Sequence, residues 1–594
     1  MIACRNNTRM KPRSLVYAIP LLFLAVFFLY PLAAILRLGF AGDPALGSGG
    51  AGLWALIADS YYLDLLWFST WQALLSTALT LAIGLPAAYV FARYDFFGKA
   101  LLRAIATVPF VMPTVVVAAA FKALLGPRDL LNSALQGLLG LTEPPIRLDQ
   151  TLALILLAHI FYNYSVVLRI VGGFWSTLDT RLEQAAAVLG AGRMRVFREI
   201  TLPLLLPAIG AAALLIFIFT FSSFGVIRIL GGPRFATIEV EIYRQTTQLL
   251  RLDIAAALSL VQIAATLLMT LVYTRLQTRA TVPLELRARA ANAQPAYGWR
   301  AHLVVGANLA ILLLLLGTPL LALALRSVTS FASGTAKLTL EYYRLLGSNP
   351  TGSFFYVPPL RALGNTLIFA LAATVLALLV GVPAAYLLAR PPTNDERRTT
   401  KQLKRRSDVQ RRGIFNFQFS IFNSILDPLF MLPLGTSAAT LGLGYIVALG
   451  RPPLNLLTSP LLIPIAHALL AFPFVVRSLL PALRGLDPRL REAARTLGAG
   501  PARVLREVDL PLLFPALLVS AVFAFTVSIG EFGAALLLYR PEYPTVPVVI
   551  DRFLGLPGQQ NYGQALALST ILMLITGLSF VLLEQVRFRD IGEF

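Results

Sequence analysis

Long apolar runs alternate with short polar connectors along the whole chain. Twelve runs are long enough to cross a bilayer, which takes about 20 apolar residues of helix. The first six are Leu15–Leu38, Leu65–Phe91, Leu101–Leu125, Thr151–Phe174, Leu204–Phe224 and Ile254–Leu276. The second six are Leu303–Leu325, Leu363–Leu388, Ile425–Leu449, Pro460–Leu483, Leu512–Phe532 and Ala565–Leu583. The pattern predicts an all-α integral membrane protein of about twelve transmembrane helices, with the stretch around Phe217 a candidate for a bend.

The polar connectors repeat. Leu178–Gly210 aligns with Leu486–Leu518 at an offset of 308 without a gap, and 20 of the 33 positions are identical. The same offset pairs His159 with His467, Arg169 with Arg477, and Pro233 through Arg244 with Pro541 through Arg552. Upstream, Gly84–Arg93 matches Gly381–Arg390 at an offset of 297. Residues 1–300 and 301–594 therefore read as two copies of one unit of about six spans. Six is an even number, so both halves enter the membrane in the same direction. Such parallel repeats are related by a pseudo-twofold axis along the membrane normal, with a shared cavity between them. Arg275–Arg300 reads as a cytoplasmic linker. Pro391–Asn423 is a basic insertion with no counterpart in the first half.

Composition agrees with the pattern, since 57% of residues are hydrophobic and 13% charged, against about 25% charged in soluble chains. The net charge of +21 raises nucleic acid as a partner, but its distribution argues against one. With the N-terminus inside, the inside segments hold 35 Lys and Arg and the outside segments 15. This is the positive-inside bias, and it places both termini in the cytoplasm. The single Cys4 forms no internal disulfide. Arg5, Arg9, Lys11 and Arg13 precede the first run as in a signal peptide. The run is long and no clear small-residue cleavage site follows it, so it reads as a retained start-transfer helix.

Both copies of the strong repeat fall between the fourth and fifth spans of a half. Each opens with a short helix containing Ala185, Ala186 and Leu189, or Ala493, Ala494 and Leu497. Small residues allow close approach to a partner surface. Gly190 and Gly498 then turn the chain, and Leu202–Pro203 and Leu510–Pro511 lead into the next span, where proline is tolerated in the first turn. The pattern E-A-A-x-x-x-G followed by about a dozen residues and L-P resembles the coupling loop of ABC importer permeases. The second half carries it as Glu492-Ala493-Ala494 with Gly498. The first departs from it, with Gln184-Ala185-Ala186 and Gly190, its acidic residue standing one place earlier at Glu183. The resemblance implies separate ABC ATPase subunits, in two copies, with unequal contacts at the two loops. It also implies a bacterial inner-membrane location and a periplasmic or lipid-anchored binding protein.

No G-x-x-x-x-G-K-[ST] phosphate loop occurs in the chain, no His/Cys cluster has metal-ligand spacing, and no nucleophile–base set is suggested. The expectation is a transport subunit, with no enzyme activity, cofactor or metal of its own. Met431–Tyr445, Ser222–Arg244 and Gly530–Thr545 resemble thiamine permeases, and ferric-iron permeases share the framework. The binding protein would dock on Gly225–Leu252 and Gly533–Tyr562. Candidate path residues are Ser223 and Phe224 at the end of one fifth span, Ser528, Glu531 and Phe532 at the end of the other, and the pair His159 and His467. A carboxylate at membrane depth is a functional candidate by default, although Glu531 stands near the end of its span, where a solvated or structural role is at least as good a reading. The rival class is a secondary, ion-gradient-driven transporter, which the doubled loop motif disfavours.

The charge asymmetry gives the first test. Cysteines introduced at Thr180 and Thr399 of the otherwise unchanged chain should react with impermeant thiol reagents only after the cells are permeabilised. Labelling of Thr180→Cys in intact cells would show that the assigned orientation is inverted.

Overall fold

The computed structural model describes residues 12–42, 51–127, 129–280, 294–330, 337–348, 358–389, 426–450, 452 and 454–591. The basic insertion Pro391–Asn423 lies outside the described residues. Nearly everything described is helical, apart from two pairings of two-residue strands. A bilayer offers no hydrogen-bond partners, so a spanning backbone must satisfy its own polar groups, as a helix does.

Among the described residues ten helices are long and apolar enough to cross a membrane, and two sharply bent helix pairs bring the number to twelve if each pair is one span. In the first pair, Lys99–Val111 ends where Met112 turns extended, with ψ 138°, before Pro113. A residue preceding proline is disfavoured in the helical region, so the chain restarts at Thr114–Leu125. In the second pair, Leu426–Gly435 gives way to Ala438–Leu449. Ser437 caps the new helix, accepting the Thr440 N–H at 3.0 Å. The stretch around Phe217 is not bent: Leu202–Phe221 is one continuous helix, with Phe217 stacked on Phe221 at 5.7 Å. The irregularity falls earlier, in π turns at Phe197–Thr201 and Leu505–Asp509. Each precedes a Leu-Pro pair, and the wider turn relieves the clash of the proline ring with the carbonyl four residues back.

The chain forms two compact units. One holds residues 35–366 and 530–578. Within it, the helix Trp299–Ser327, which opens the second repeat, packs against Thr114–Leu125 and Ser60–Arg93 of the first. A buried cluster anchors that helix. Arg326 Nε donates to Asp129 Oδ1 at 2.9 Å, Tyr562 Oη donates to Asp129 Oδ2 at 3.0 Å, and Arg326 also donates to the Thr329 carbonyl at 2.7 Å. The other unit holds residues 1–34, 367–529 and 579–594. There Ala25–Leu29, from the first helix of the chain, packs on Leu462–Gly485 of the second repeat. The opening helix of each repeat is thus lodged among spans of the other.

Several contacts occur twice, at equivalent positions. A Cβ on Gly84 would stand 2.8 Å from Val167 Cβ, and one on Gly381 would stand 2.6 Å from Val475 Cγ1. The Ile238 N–H donates to Ser69 Oγ at 3.1 Å, and the Val546 N–H to Thr366 Oγ1 at 2.8 Å. Repeated sequence has folded into repeated local structure.

The two glycine contacts supply a stability test. Gly84→Leu and Gly381→Leu should each lower thermal stability in detergent by a similar amount, on the order of 1–3 kcal/mol for overpacking. Unchanged melting of both variants would contradict these close helix approaches.

Candidate functional site: paired elbows and an aromatic–ionic cluster on the repeat axis

The elbows are built alike. The helices Arg181–Val188 and Pro488–Thr496 are short and mostly exposed. Asp179 Oδ1 accepts the Arg181 N–H at 3.0 Å, and Asp487 Oδ1 accepts the Arg489 N–H at 2.9 Å. Each helix ends at a left-handed glycine, Gly190 with φ +85° and Gly498 with φ +84°. The amides of Ala191 and Ala499 reach back to the carbonyls of Ala186 and Ala494 at 3.0 Å, while those of Gly190 and Gly498 bond Ala187 and Arg495. This is a Schellman closure. It projects the preceding leucine outward: Leu189 is 87% exposed and Leu497 88%. Nothing lies within 4 Å of a Cβ added at either glycine, so backbone angle and not crowding demands glycine there.

Ala185 and Ala493 accept the amides of those leucines at 3.1 Å, and Gln184 and Glu492 stand on the exposed face. Glu183, the displaced acidic residue, turns inward. It pairs with Arg93 at the end of the second span and accepts the Thr201 hydroxyl at 2.8 Å. The equivalent positions in the second repeat are Arg491 and Asp509, joined at 2.7 Å. One contact, between elbow helix and fifth span, is therefore made by Glu–Thr in one repeat and by Arg–Asp in the other.

A second group gathers at the end of the fifth spans. Phe224 and Phe532 stack with ring centroids 5.5 Å apart and planes at 28°. They are equivalent residues, at an offset of 308. Equivalent residues touch only where the symmetry exchanging the repeats brings them together, so the stack marks the pseudo-twofold axis in this unit. Phe224 also lies against Tyr243 at 5.7 Å. The Arg228 guanidinium carbon sits 4.4 Å from the Tyr243 ring centroid, and Arg228 bonds Asp551 Oδ2 at 3.1 Å. Tyr243 and Asp551 are equivalent too, so Arg228 bridges a second axial pair. Burial pushes the Asp551 carboxyl above its ordinary range, while Arg228 and then Lys122 pull it back down.

The remaining candidates lie as follows. Glu531 accepts the Ala534 and Ala535 amides, each at 2.9 Å, and so caps the helix Gly533–Leu537 that follows Phe532. His159 is buried and bonds Ser76 through Nδ1 and Ser223 through Nε2, both at 2.9 Å. His467 Nδ1 bonds Ser528 at 2.8 Å. Both histidines thus tie helices together. The residues missed from sequence are Arg228, Tyr243 and Asp551. Their signal was present, because the aligned stretch Pro233–Arg244 and Pro541–Arg552 changes chemistry at Tyr243/Asp551.

Helical repeats with spans of bilayer length define a multi-pass membrane protein built from two related halves. The family model described as "Binding-protein-dependent transport system inner membrane component" matches twice, over residues 80–282 and 412–589. The chain belongs to that family, and the ion-gradient alternative is set aside. It is 28% identical to the thiamine transport system permease protein ThiP of Brucella abortus, over 90% of this chain and 89% of that one. To the Escherichia coli protein of the same name it is 26% identical, over 90% and 91%. It is 27% identical to the probable ABC transporter permease protein y4fN of Sinorhizobium fredii, over 82% and 81%. Members of this family are permease subunits and not themselves enzymes.

The inverted contact predicts a local effect. Arg491→Ala leaves the buried Asp509 without its ion-pair partner, a loss of about 1–3 kcal/mol. Hydrogen exchange across Pro488–Thr496 should accelerate at least fivefold, and Arg491→Lys should restore most of the protection. Unaltered exchange in Arg491→Ala would show that the pair does not hold the elbow.

Proposed function

We propose that the chain is the channel-forming subunit of an ABC importer that moves thiamine or a thiamine phosphate into the cytoplasm, with ferric iron as the second candidate cargo. The observation that carries the importer reading is the pair of like-built elbows, each presenting an exposed leucine beside a left-handed glycine. A docking element needs an apolar tip on a stiff support, and two such elements suit two copies of a separate ATPase. In this reading Glu183, Gln184, Ala185, Ala186 and Gly190 form one coupling contact, and Glu492, Ala493, Ala494 and Gly498 the other. Glu492 faces outward while Glu183 is tied to Arg93 and Thr201, so the two contacts are unequal. Residues 1–300 and 301–594 are the duplicated units.

The charge asymmetry supports a bacterial inner-membrane orientation with both termini and both elbows in the cytoplasm. The Phe224–Phe532 stack then lies toward the periplasm, where a binding protein would deliver cargo. In this reading one compact unit contributes Ser223, Phe224, Glu531, Phe532 and His159 as path or bracing residues, and the other contributes Ser528 and His467. The thiamine assignment is supported by the likeness to thiamine transport system permease proteins that align over nine-tenths of the chain. An aromatic cation also suits a path opening on phenylalanine faces, which attract cations by roughly 0.5–2 kcal/mol.

Reconstitution with the ATPase and binding protein tests both levels. Thiamine should be taken up in an ATP-dependent manner. Gly498→Val, which forces a β-branched residue into the left-handed region at a cost of about 1–2 kcal/mol, should reduce uptake at least fivefold with normal membrane insertion. Gln184→Ala should be milder than Glu492→Ala. Ferric-iron uptake without thiamine uptake would replace the cargo, and normal uptake by both Gly190→Val and Gly498→Val would remove the coupling assignment.

A further inference from the structure

The Arg228 guanidinium lies over the Tyr243 ring and against the Asp551 carboxylate. A ring face plus a carboxylate is the chemistry that recognises an organic cation. Here the chain fills that arrangement with a cation of its own. Tyr243 and Asp551 are repeat-equivalent and flank the axis, next to the Phe224–Phe532 stack through the Phe224–Tyr243 contact. A route between parallel repeats follows that axis, so a solute entering from this end must displace Arg228 or pass beside it. The Asp551 side chain is only 13% exposed and that of Arg228 25%. A carboxylate so buried is stabilised in its charged form by a cation beside it. The position equivalent to Arg228 is Leu536, so the second repeat supplies no matching arginine there.

We propose that Tyr243 and Asp551 form an entry site for the cationic group of the cargo, and that Arg228 is a resident surrogate occupying it. The arriving cation exchanges with the guanidinium as partner of Asp551. Arg228 swings away, and the Phe224 ring, no longer backed by the Arg228–Tyr243 contact, is free to part from Phe532. Asp551 keeps a cationic partner throughout, first Arg228 and then the cargo, which keeps the exchange reversible and the site weak. A weak site is what a permease needs when affinity resides in a binding protein and cargo must leave. Lys122 adds a further positive charge near Asp551, and this favours singly charged over multiply charged cations. The choice of thiamine as natural ligand rests on the cargo reading above. The cation site does not.

Direct binding measures the exchange. The full-length permease, assembled with its ATPase in nanodiscs without binding protein, is titrated with thiamine and with phenyltrimethylammonium. The wild type should bind both only in the millimolar range or weaker. Arg228→Met vacates the site and should tighten binding at least tenfold. Arg228→Met combined with Asp551→Asn should lose that gain, and Arg228→Met combined with Tyr243→Leu should lose most of it. Arg228→Gln serves the same purpose if Arg228→Met does not assemble. Arg228→Lys, which keeps a resident cation, should show no gain. An unchanged affinity in both neutral variants, or a gain that survives Asp551→Asn, overturns the proposal. Cargo is scored separately by binding-protein-dependent uptake in the wild-type complex. If thiamine is imported yet neither probe gains affinity, the surrogate falls and the cargo reading stands. If thiamine is not imported but phenyltrimethylammonium gains affinity through Asp551, the site stands and the cargo reading falls.

Discussion

A duplicated chain that folds about a pseudo-twofold axis must face its own copy along that axis. This constraint governs which residues can stand there. Phe224 can meet Phe532 because two aromatic rings are self-complementary, and an offset stack contributes about 0.5–1.5 kcal/mol beyond its area. Charged residues cannot do the same, since a like pair at close range is repulsive. The axial positions with charge have therefore diverged: Asp551 has Tyr243 as its equivalent, and Arg228 has Leu536. Strict repetition persists away from the axis, as in the Gly84–Val167 and Gly381–Val475 contacts, where each repeat meets only itself.

The elbows obey a different rule. They are the most alike segments in sequence, and their Schellman closures agree in φ to within a degree. Yet the tie from elbow to span inverts, from Glu183–Thr201 to Arg491–Asp509. A tie needs complementary partners and a fixed distance, and either chemistry supplies both. The outward tip has not diverged in this way: both elbows expose a leucine, Leu189 or Leu497, beside a left-handed glycine. The two repeats thus share the tip and the turn and differ in the tie that holds them to the fifth span.

The opening helices carry the other structural consequence of duplication. Trp299–Ser327 packs among first-repeat spans, and Ala25–Leu29 among second-repeat spans. Neither repeat completes its helical packing alone. The buried Arg326–Asp129–Tyr562 cluster belongs to this arrangement. Breaking one partner of such a cluster strands a charge away from water, so the lodged helix is fixed in place as well as in direction.

Much was legible in the sequence because the bilayer enforces it. Apolar run length gave the candidate spans, and the 308-residue offset gave the duplication and both elbows with their glycines. These are local or periodic properties, and one-dimensional patterns record them. The bends were misplaced, at Phe217 instead of before Pro113 and at Ser437, because an apolar window does not register where a proline or a capping serine interrupts it. Glu531 was singled out for its charge, but a carboxylate's partners are spatial, and here two backbone amides bind it. The meeting of Arg228 with Asp551, 323 residues apart, was likewise beyond the sequence. So was the lodging of each opening helix among spans of the other repeat. Both depend on which equivalent faces come together about the axis, and a repeat offset names the equivalent residues without saying which of them touch.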